Sequence, residues 1–313
     1  MIYDLAILGG GPAGVAAGVY AARKRLKTVF ITKDFESQSV VSPDIQNWIG
    51  TPSIAGSDLA KNFKKHLLAF ADGVLELKEG ELVKEVVQIP AEGLDSGHFK
   101  ITSTKNSYEA KTILITTGSN RRKLNIPGAA EYENKGVTYC ASCDGPLFAD
   151  MDVAVIGAGN AGFESAAQLL AYCKSVTLIQ RGTEFRADEI TVKKVLSHPK
   201  MKAVTNTELM EIKGDKFVTS LTYLDKNTNK NIELPVTGIF VEIGSMPNTS
   251  FLDGLVELDP VGHVVTDPRT QQSSRPGIWA AGDVTDGLYH QNNIAAGDGV
   301  KALENIYLHL HAK

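Results

Sequence analysis

Leu5-Ala6-Ile7-Leu8-Gly9-Gly10-Gly11-Pro12-Ala13-Gly14 is an apolar run that meets a glycine-rich turn, and Val153-Ala154-Val155-Ile156-Gly157-Ala158-Gly159-Asn160-Ala161-Gly162 repeats the arrangement further along the chain. Each turn is followed by a stretch rich in small residues. These stretches predict helices running to about Arg25 and about Cys173. Strands at Thr28 to Thr32 and Ser175 to Gln180 then complete two βαβ units. In a G-x-G-x-x-G turn placed between strand and helix, the first glycine permits a tight turn and the second lets the backbone approach a pyrophosphate. The third allows the helix to pack closely on the strand. The helix amino terminus presents unpaired N–H groups to the anion. Gly9, Gly11, Pro12, Ala13 and Gly14 are therefore candidates for one nucleotide, and Gly157, Gly159, Asn160, Ala161 and Gly162 for a second.

A second echo sets the organisation. Thr112 to Gly118 and Gly238 to Gly244 are apolar strands ending in glycine, each followed by a proline, Pro127 or Pro247. They mark the places where the chain crosses between domains. The expected fold class is α/β, with two Rossmann-like nucleotide-binding domains, the second inserted into a discontinuous first. The first would comprise residues 1–118 and 245–313, the second residues 119–244. Asp225 to Asn231, polar and lysine-bearing, predicts a hairpin turn in the second domain.

Composition excludes several classes of function. A formal net charge of -4 gives no electrostatic reason to expect a nucleic-acid partner, since phosphate binding needs a cationic face. No stretch approaches the roughly 18 to 20 apolar residues of a membrane-spanning helix. The apolar run near the amino terminus meets glycines before it could serve as a signal peptide, so a cytosolic location is expected. Three cysteines in 313 residues do not make a disulfide framework.

Two of those cysteines nonetheless stand in Cys140-Ala141-Ser142-Cys143-Asp144-Gly145-Pro146, between the two glycine turns. Thiols at this spacing can close a small disulfide and exchange it with another protein, given a nearby proton donor. Asp144 is the nearest acid. Zinc would need two further ligands, and Cys173 falls within a predicted helix without a second Cys-x-x-Cys, so no metal is expected. Coincidental spacing in a core is the bland alternative. Past the second strand of the second βαβ unit the sequence reads Gln180-Arg181-Gly182-Thr183-Glu184-Phe185-Arg186. No carboxylate sits at the strand end to accept from an unphosphorylated ribose, and Arg181 and Arg186 offer planar donor forks to a 2′-phosphate. NADPH is favoured over NADH, with solvated surface arginines as the alternative reading and Glu184 as the residue that points the other way.

Taken in order, Gly9 to Gly14, Asn47-Trp48, Thr116-Thr117-Gly118, Cys140 to Pro146, Gly157 to Gly162, Arg181 with Arg186, Ala280-Ala281-Gly282-Asp283-Val284 and Tyr289-His290-Gln291 through Gly299 resemble the low-molecular-weight thioredoxin reductases over almost the whole chain. The resemblance implies that the first turn binds FAD, with Asp283 on the ribityl chain and the Gln291 region beside the flavin ring. Gln38, Asn47, Thr117, Gly118, Gly282, His290 and Asn292 fall in the same FAD-binding segments. It implies that the inserted domain binds NADPH and carries the disulfide, with Cys143 facing the flavin, Cys140 attacking a thioredoxin-like partner and Asp144 moving the proton. It also implies a homodimer and a hinged rotation of the domains, with hinges near Gly118 and Gly244. Two positions depart from the family. Glu36-Ser37-Gln38 replaces Gly-Gly-Gln, and Gln180-Arg181-Gly182 with Arg186 replaces His-Arg-Arg-x-x-x-Arg. The arginine change leaves open a same-fold reductase or oxidase that does not use NADPH, fed by ferredoxin or acting as a flavin dithiol oxidase. A redox sensor without turnover is the alternative from another class.

Overall fold

The structure is a computed structural model and describes residues 1–42, 44–90 and 97–311. The chain divides into two compact units, one of Met1–Asn120 with Met246–Lys313 and the other of Arg121–Ser245. Residues 312 and 313, at the end of the expected first domain, lie outside the described residues.

The first unit is built on a seven-stranded sheet. Its strands run in the order Leu75–Glu79, Thr28–Thr32, Ile2–Leu8, Ser107–Ile115, His98–Ser103, Val83–Ile89, and Ile278–Ala280 pairs in parallel with Ser107–Ile115. The strands that carry the glycine turn are parallel, with Leu5 opposite Thr28 on one side and Thr112 on the other. Alternation sends Leu5 and Ile7 into one core with Phe30, Leu114 and Trp279, while Ala6 and Leu8 enter another with Val29, Ile31 and Ile113. Both faces are covered, which is why these strands read as unbroken apolar runs.

Helix Pro12–Arg23 begins with proline in its first turn, where the missing N–H costs nothing. It packs against the carboxyl-terminal helix Asn292–His311 and against Gly56–Ala71, and its small residues set the separation. A Cβ added at Gly18 would meet Leu67 Cδ1 at 2.6 Å, and one at Gly299 would meet Ala13 O at 2.2 Å. The helix stops before the expected Arg25, because Arg25 turns left-handed (φ 60°) and lets Leu26 drop into the core. The strand expected over Thr112 to Gly118 ends at Ile115 instead. Thr116 Oγ1 donates to Leu8 O (2.9 Å) and Gly118 adopts φ 63°, so the chain leaves the sheet there.

The second unit has a parallel sheet ordered Met201–Val204, Ser175–Ile179, Asp152–Ile156, Gly238–Val241, Val137–Thr138, with helices Asn160–Leu169 and Glu189–Leu196. A separate antiparallel sheet contains Thr207–Gly214, Val218–Asp225 and Lys230–Pro235. Its second and third strands join through the turn expected at Asp225 to Asn231. Asp225 Oδ1 accepts from Asn227 N (2.9 Å), an aspartate turn that closes the hairpin. The helix expected to reach Cys173 ends at Leu169; Cys173 lies beyond it, fully buried, and burial lifts its thiol to about 11. Among the described residues no helix is long and apolar enough to cross a membrane.

Candidate functional site

The two glycine turns share one steric pattern, and that pattern tests whether a dinucleotide fits. At Gly9 (φ 118°) a Cβ would strike Thr116 O at 2.3 Å, and at Gly14 it would strike Gly9 O at 2.1 Å. At Gly157 (φ 107°) and Gly162 the corresponding collisions are with Glu242 O at 2.2 Å and Gly157 O at 2.0 Å. The first and third glycines are thus demanded by the protein's own backbone. The middle ones are not: Gly11 has its nearest neighbour, Ser37 Cβ, at 4.0 Å, and Gly159 has nothing within 4 Å. A side chain at either place would occupy open space in front of a helix amino terminus, the space a pyrophosphate requires. The residues present fit one dinucleotide at each turn.

In the first unit the loop after strand Thr28–Thr32 closes over the region named by the resemblance. Ser39 Oγ donates to Asn292 Oδ1 (2.9 Å), Asn47 Nδ2 to Gln291 Oε1 (3.3 Å) and Asn293 Nδ2 to Asn47 O (2.7 Å). Gln38 Nε2 donates to Ser119 O (2.5 Å), next to Gly118, and Thr117 Oγ1 donates to Asn248 O (2.8 Å). Gln38 and Gly118 thus lie near each other, as do Asn47, Gln291 and Asn292. Replacement of the two family glycines by Glu36 and Ser37 introduces no strain: neither has positive φ, and Ser37 (φ -68°) leads into a 3₁₀ turn at Gln38–Val41. Gly282 (φ 78°) puts its would-be Cβ 3.3 Å from Ala13 Cβ, which brings half-buried Asp283 to the first glycine turn. His290 Nε2 is buried without a partner among the described residues, its ring centroid 5.9 Å from that of His263.

Three residues of this region that the motifs do not name are further candidates. Asp34 stands just past strand Thr28–Thr32, twenty residues after Gly14, which is the spacing of a ribose-binding acid, and Thr32 Oγ1 donates to its carbonyl (2.5 Å). That spacing is a usable signal. Ser39 and Asn293 have none, because their roles depend on which loops the fold brings together.

In the second unit Cys140 and Cys143 are joined by a disulfide, Cα to Cα 5.3 Å. Cys140 caps the short helix Ala141–Asp144, its sulfur accepting from Cys143 N at 3.1 Å. Cys140 is half-buried and Cys143 exposed. Gly145 follows, and a Cβ there would fall 2.2 Å from the Tyr172 hydroxyl, so that any larger residue would have to displace the tyrosine side chain. Asp144 is half-buried and accepts a hydrogen bond from Thr138 Oγ1. Burial pushes its carboxyl above the ordinary range, against the opposing pull of Thr138 and of the Arg121 charge. Burial of this kind disfavours the charged form of a carboxyl and so favours proton retention relative to an exposed aspartate.

Arg186 is tied to the second glycine turn through its backbone, N to Ala158 O at 2.9 Å. Arg181 and Arg186 are exposed, and neither forms an ion pair among the described residues. Gln180 Nε2 donates to Glu184 O (3.0 Å), which keeps a neutral amide at the strand end. Asn160 Oδ1 accepts from Asp188 N (3.0 Å), so its amide nitrogen remains free to donate. Among the described residues no group of three His, Cys, Asp or Glu could hold a metal.

Comparison with known proteins follows the same lines. The sequence profile of the pyridine nucleotide-disulphide oxidoreductases matches residues 3–299. An alkyl hydroperoxide reductase component of Pseudomonas aeruginosa is 38% identical over 98% of this chain and 58% of its own length. An NADH dehydrogenase of Bacillus subtilis is 36% identical over 96% of this chain and 57% of its own. The chain therefore spans little more than half the length of these curated relatives. A thioredoxin reductase from Giardia duodenalis superposes with a TM-score of 0.91 at 32% identity, covering 99% of both chains.

Proposed function

Because this chain belongs to the pyridine nucleotide-disulphide oxidoreductase family, we propose that it reduces a protein disulfide through the Cys140–Cys143 pair, using NADPH and FAD. The observation that carries this reading is a closed disulfide followed directly by Asp144, whose half-buried carboxyl is pushed above the ordinary range, in the same unit as an open glycine turn. The first unit would hold FAD along Gly9 to Gly14, Asp34, Asp283 and the loops joined at Asn47 and Gln291. The second would hold the pyridine nucleotide over Gly159. FAD, when bound, would supply the two-electron chemistry that links a nicotinamide to the disulfide.

The remaining work belongs to the chain. Reduction gives a Cys140 thiolate, which attacks one sulfur of the partner's disulfide and forms a mixed disulfide while the other partner sulfur leaves. Cys143 then attacks Cys140, which recloses the pair and releases the second partner sulfur. Asp144 supplies the proton to a leaving thiolate. Thiols that cycle in this way suit a reducing compartment such as the cytosol. Nicotinamide and disulfide must both reach one flavin although both belong to the same unit. Gly118 (φ 63°) and Gly244 (φ 104°), each within two residues of a crossing between the units, are the positions that would turn. A homodimer completes the reading.

NADPH is proposed as donor because Arg181 and Arg186 are uncommitted and the strand end carries an amide. NADH is the second reading, favoured by the Bacillus subtilis relative's name. The acceptor is proposed to be a thioredoxin-like dithiol; the name of the Pseudomonas aeruginosa relative makes an alkyl hydroperoxide reductase component the other choice. Steady-state oxidation of NADPH and NADH by the FAD-loaded protein, with each acceptor in turn, tests this. Turnover with the thioredoxin disulfide, absent in Cys143→Ser although its flavin still bleaches, is the expected result. Disulfide reduction that survives Cys143→Ser would overturn it.

A further inference from the structure

Glu242 follows strand Gly238–Val241 at the carboxyl edge of the second unit's parallel sheet, and its N–H donates to Ile156 O (2.8 Å), at the last residue before the glycine turn. One side-chain oxygen is fixed: Ser165 Oγ, on helix Asn160–Leu169, donates to Glu242 Oε1 at 2.7 Å. Among the described residues Oε2 accepts from nothing. The side chain begins close to the turn itself, since a Cβ on Gly162 would lie 3.9 Å from Glu242 Cβ. A half-buried carboxyl held by one oxygen beside an anion-binding turn serves no evident packing purpose.

The order of strands says which part of a ligand it meets. In an open parallel sheet a dinucleotide lies across the carboxyl ends of the strands, with its pyrophosphate over the central glycine turn. Here the turn belongs to Asp152–Ile156, flanked by Ser175–Ile179 on one side and Gly238–Val241 on the other. Arg181 and Arg186 follow Ser175–Ile179 and take the adenosine half. The other half, a ribose with two hydroxyls and a ring with a carboxamide, then lies over the strand that carries Glu242.

We propose that Glu242 Oε2 accepts a hydrogen bond from the nicotinamide riboside half of the pyridine nucleotide, and so selects dinucleotides over adenine nucleotides. This rests on the reading that the second unit binds a pyridine nucleotide. The charges that face Glu242 suit the role. Burial pushes its carboxyl above the usual range, and so does Glu164 on the same helix as Ser165; the Ser165 hydrogen bond and the Arg121 charge pull it down. Ser165 takes up Oε1, so Oε2 is the oxygen left to accept from a ligand.

Calorimetric titration of the FAD-loaded chain with NAD+, NADP+, ADP and 2′,5′-ADP tests the assignment without turnover. Glu242→Ala should weaken NAD+ and NADP+ binding by about tenfold or more, the loss of one hydrogen bond to a charged acceptor, and leave ADP and 2′,5′-ADP as in the unaltered protein. Ser165→Ala, which keeps the carboxyl but frees it, should fall between. The two adenine nucleotides report that the turn is still folded in each variant. Unchanged NAD+ and NADP+ affinity in Glu242→Ala overturns the proposal, as does an equal loss for all four ligands. Failure of the unaltered protein to bind any of them would instead remove the underlying nucleotide reading, and the proposal with it.

Discussion

A single carboxyl, Asp144, sets the pH behaviour expected of the dithiol. Its pKa lies above the ordinary value because burial disfavours the charged form. The acid is therefore present below that raised value and lost as pH rises through it. If Asp144 is the donor, the rate of transfer to a disulfide partner should fall along that limb, and Asp144→Asn should lower the rate by about 10²-fold or more and abolish the limb. A limb that persists in Asp144→Asn would assign it to another group. At the nucleotide, Arg181→Ala with Arg186→Ala should raise KM for NADPH far more than for NADH; equal effects would remove the 2′-phosphate argument. The Cys-x-x-Cys spacing and the glycines were legible in the sequence because they constrain the backbone locally. The burial of Asp144 was not, since Thr138 and Arg121 reach it only through the fold. The same holds for Ser39 and Asn293, which gain partners more than 240 residues away in sequence.

Two strand-turn-helix elements make separable predictions for glycines that look alike in sequence. Gly11→Ala places its Cβ 4.0 Å from the nearest protein atom, Ser37 Cβ, so the apoprotein should unfold at nearly the same temperature while FAD retention falls. Gly14→Ala forces a Cβ onto Gly9 O and should destabilise the unit by about 1–3 kcal/mol whether or not FAD is present. Thermal unfolding of both apoproteins, with flavin content measured on purification, checks the pair; equal destabilisation would contradict the geometry. These elements were readable because strands covered on both faces are continuously apolar and end abruptly in glycine. Their ends were less so. The first helix stops at Arg23 because Arg25 turns left-handed, and the second stops at Leu169, four residues short of Cys173. Nothing local in the sequence announces either.

For the whole molecule, the chain passes between its two units after Asn120 and after Ser245, and Gly118 and Gly244, each within two residues of a crossing, both have positive φ. Gly118→Ala places a Cβ in open space, so its cost is that of the left-handed backbone alone, about 1–2 kcal/mol. If the chain turns here during catalysis, Gly118→Ala should slow overall turnover of the FAD-loaded protein while leaving its affinity for the pyridine nucleotide, assigned to the other unit, unchanged, as steady-state rates and calorimetry on one preparation would show. The account depends most on electrons arriving at Cys140 and Cys143. Anaerobic addition of NADPH to the FAD-loaded protein, followed by alkylation and mass mapping, measures that arrival. Both cysteines should become labelled in step with nucleotide oxidation, while Cys173, buried and with its thiol lifted to about 11, stays unlabelled. A flavin that is reduced while Cys140 and Cys143 remain joined would contradict the account.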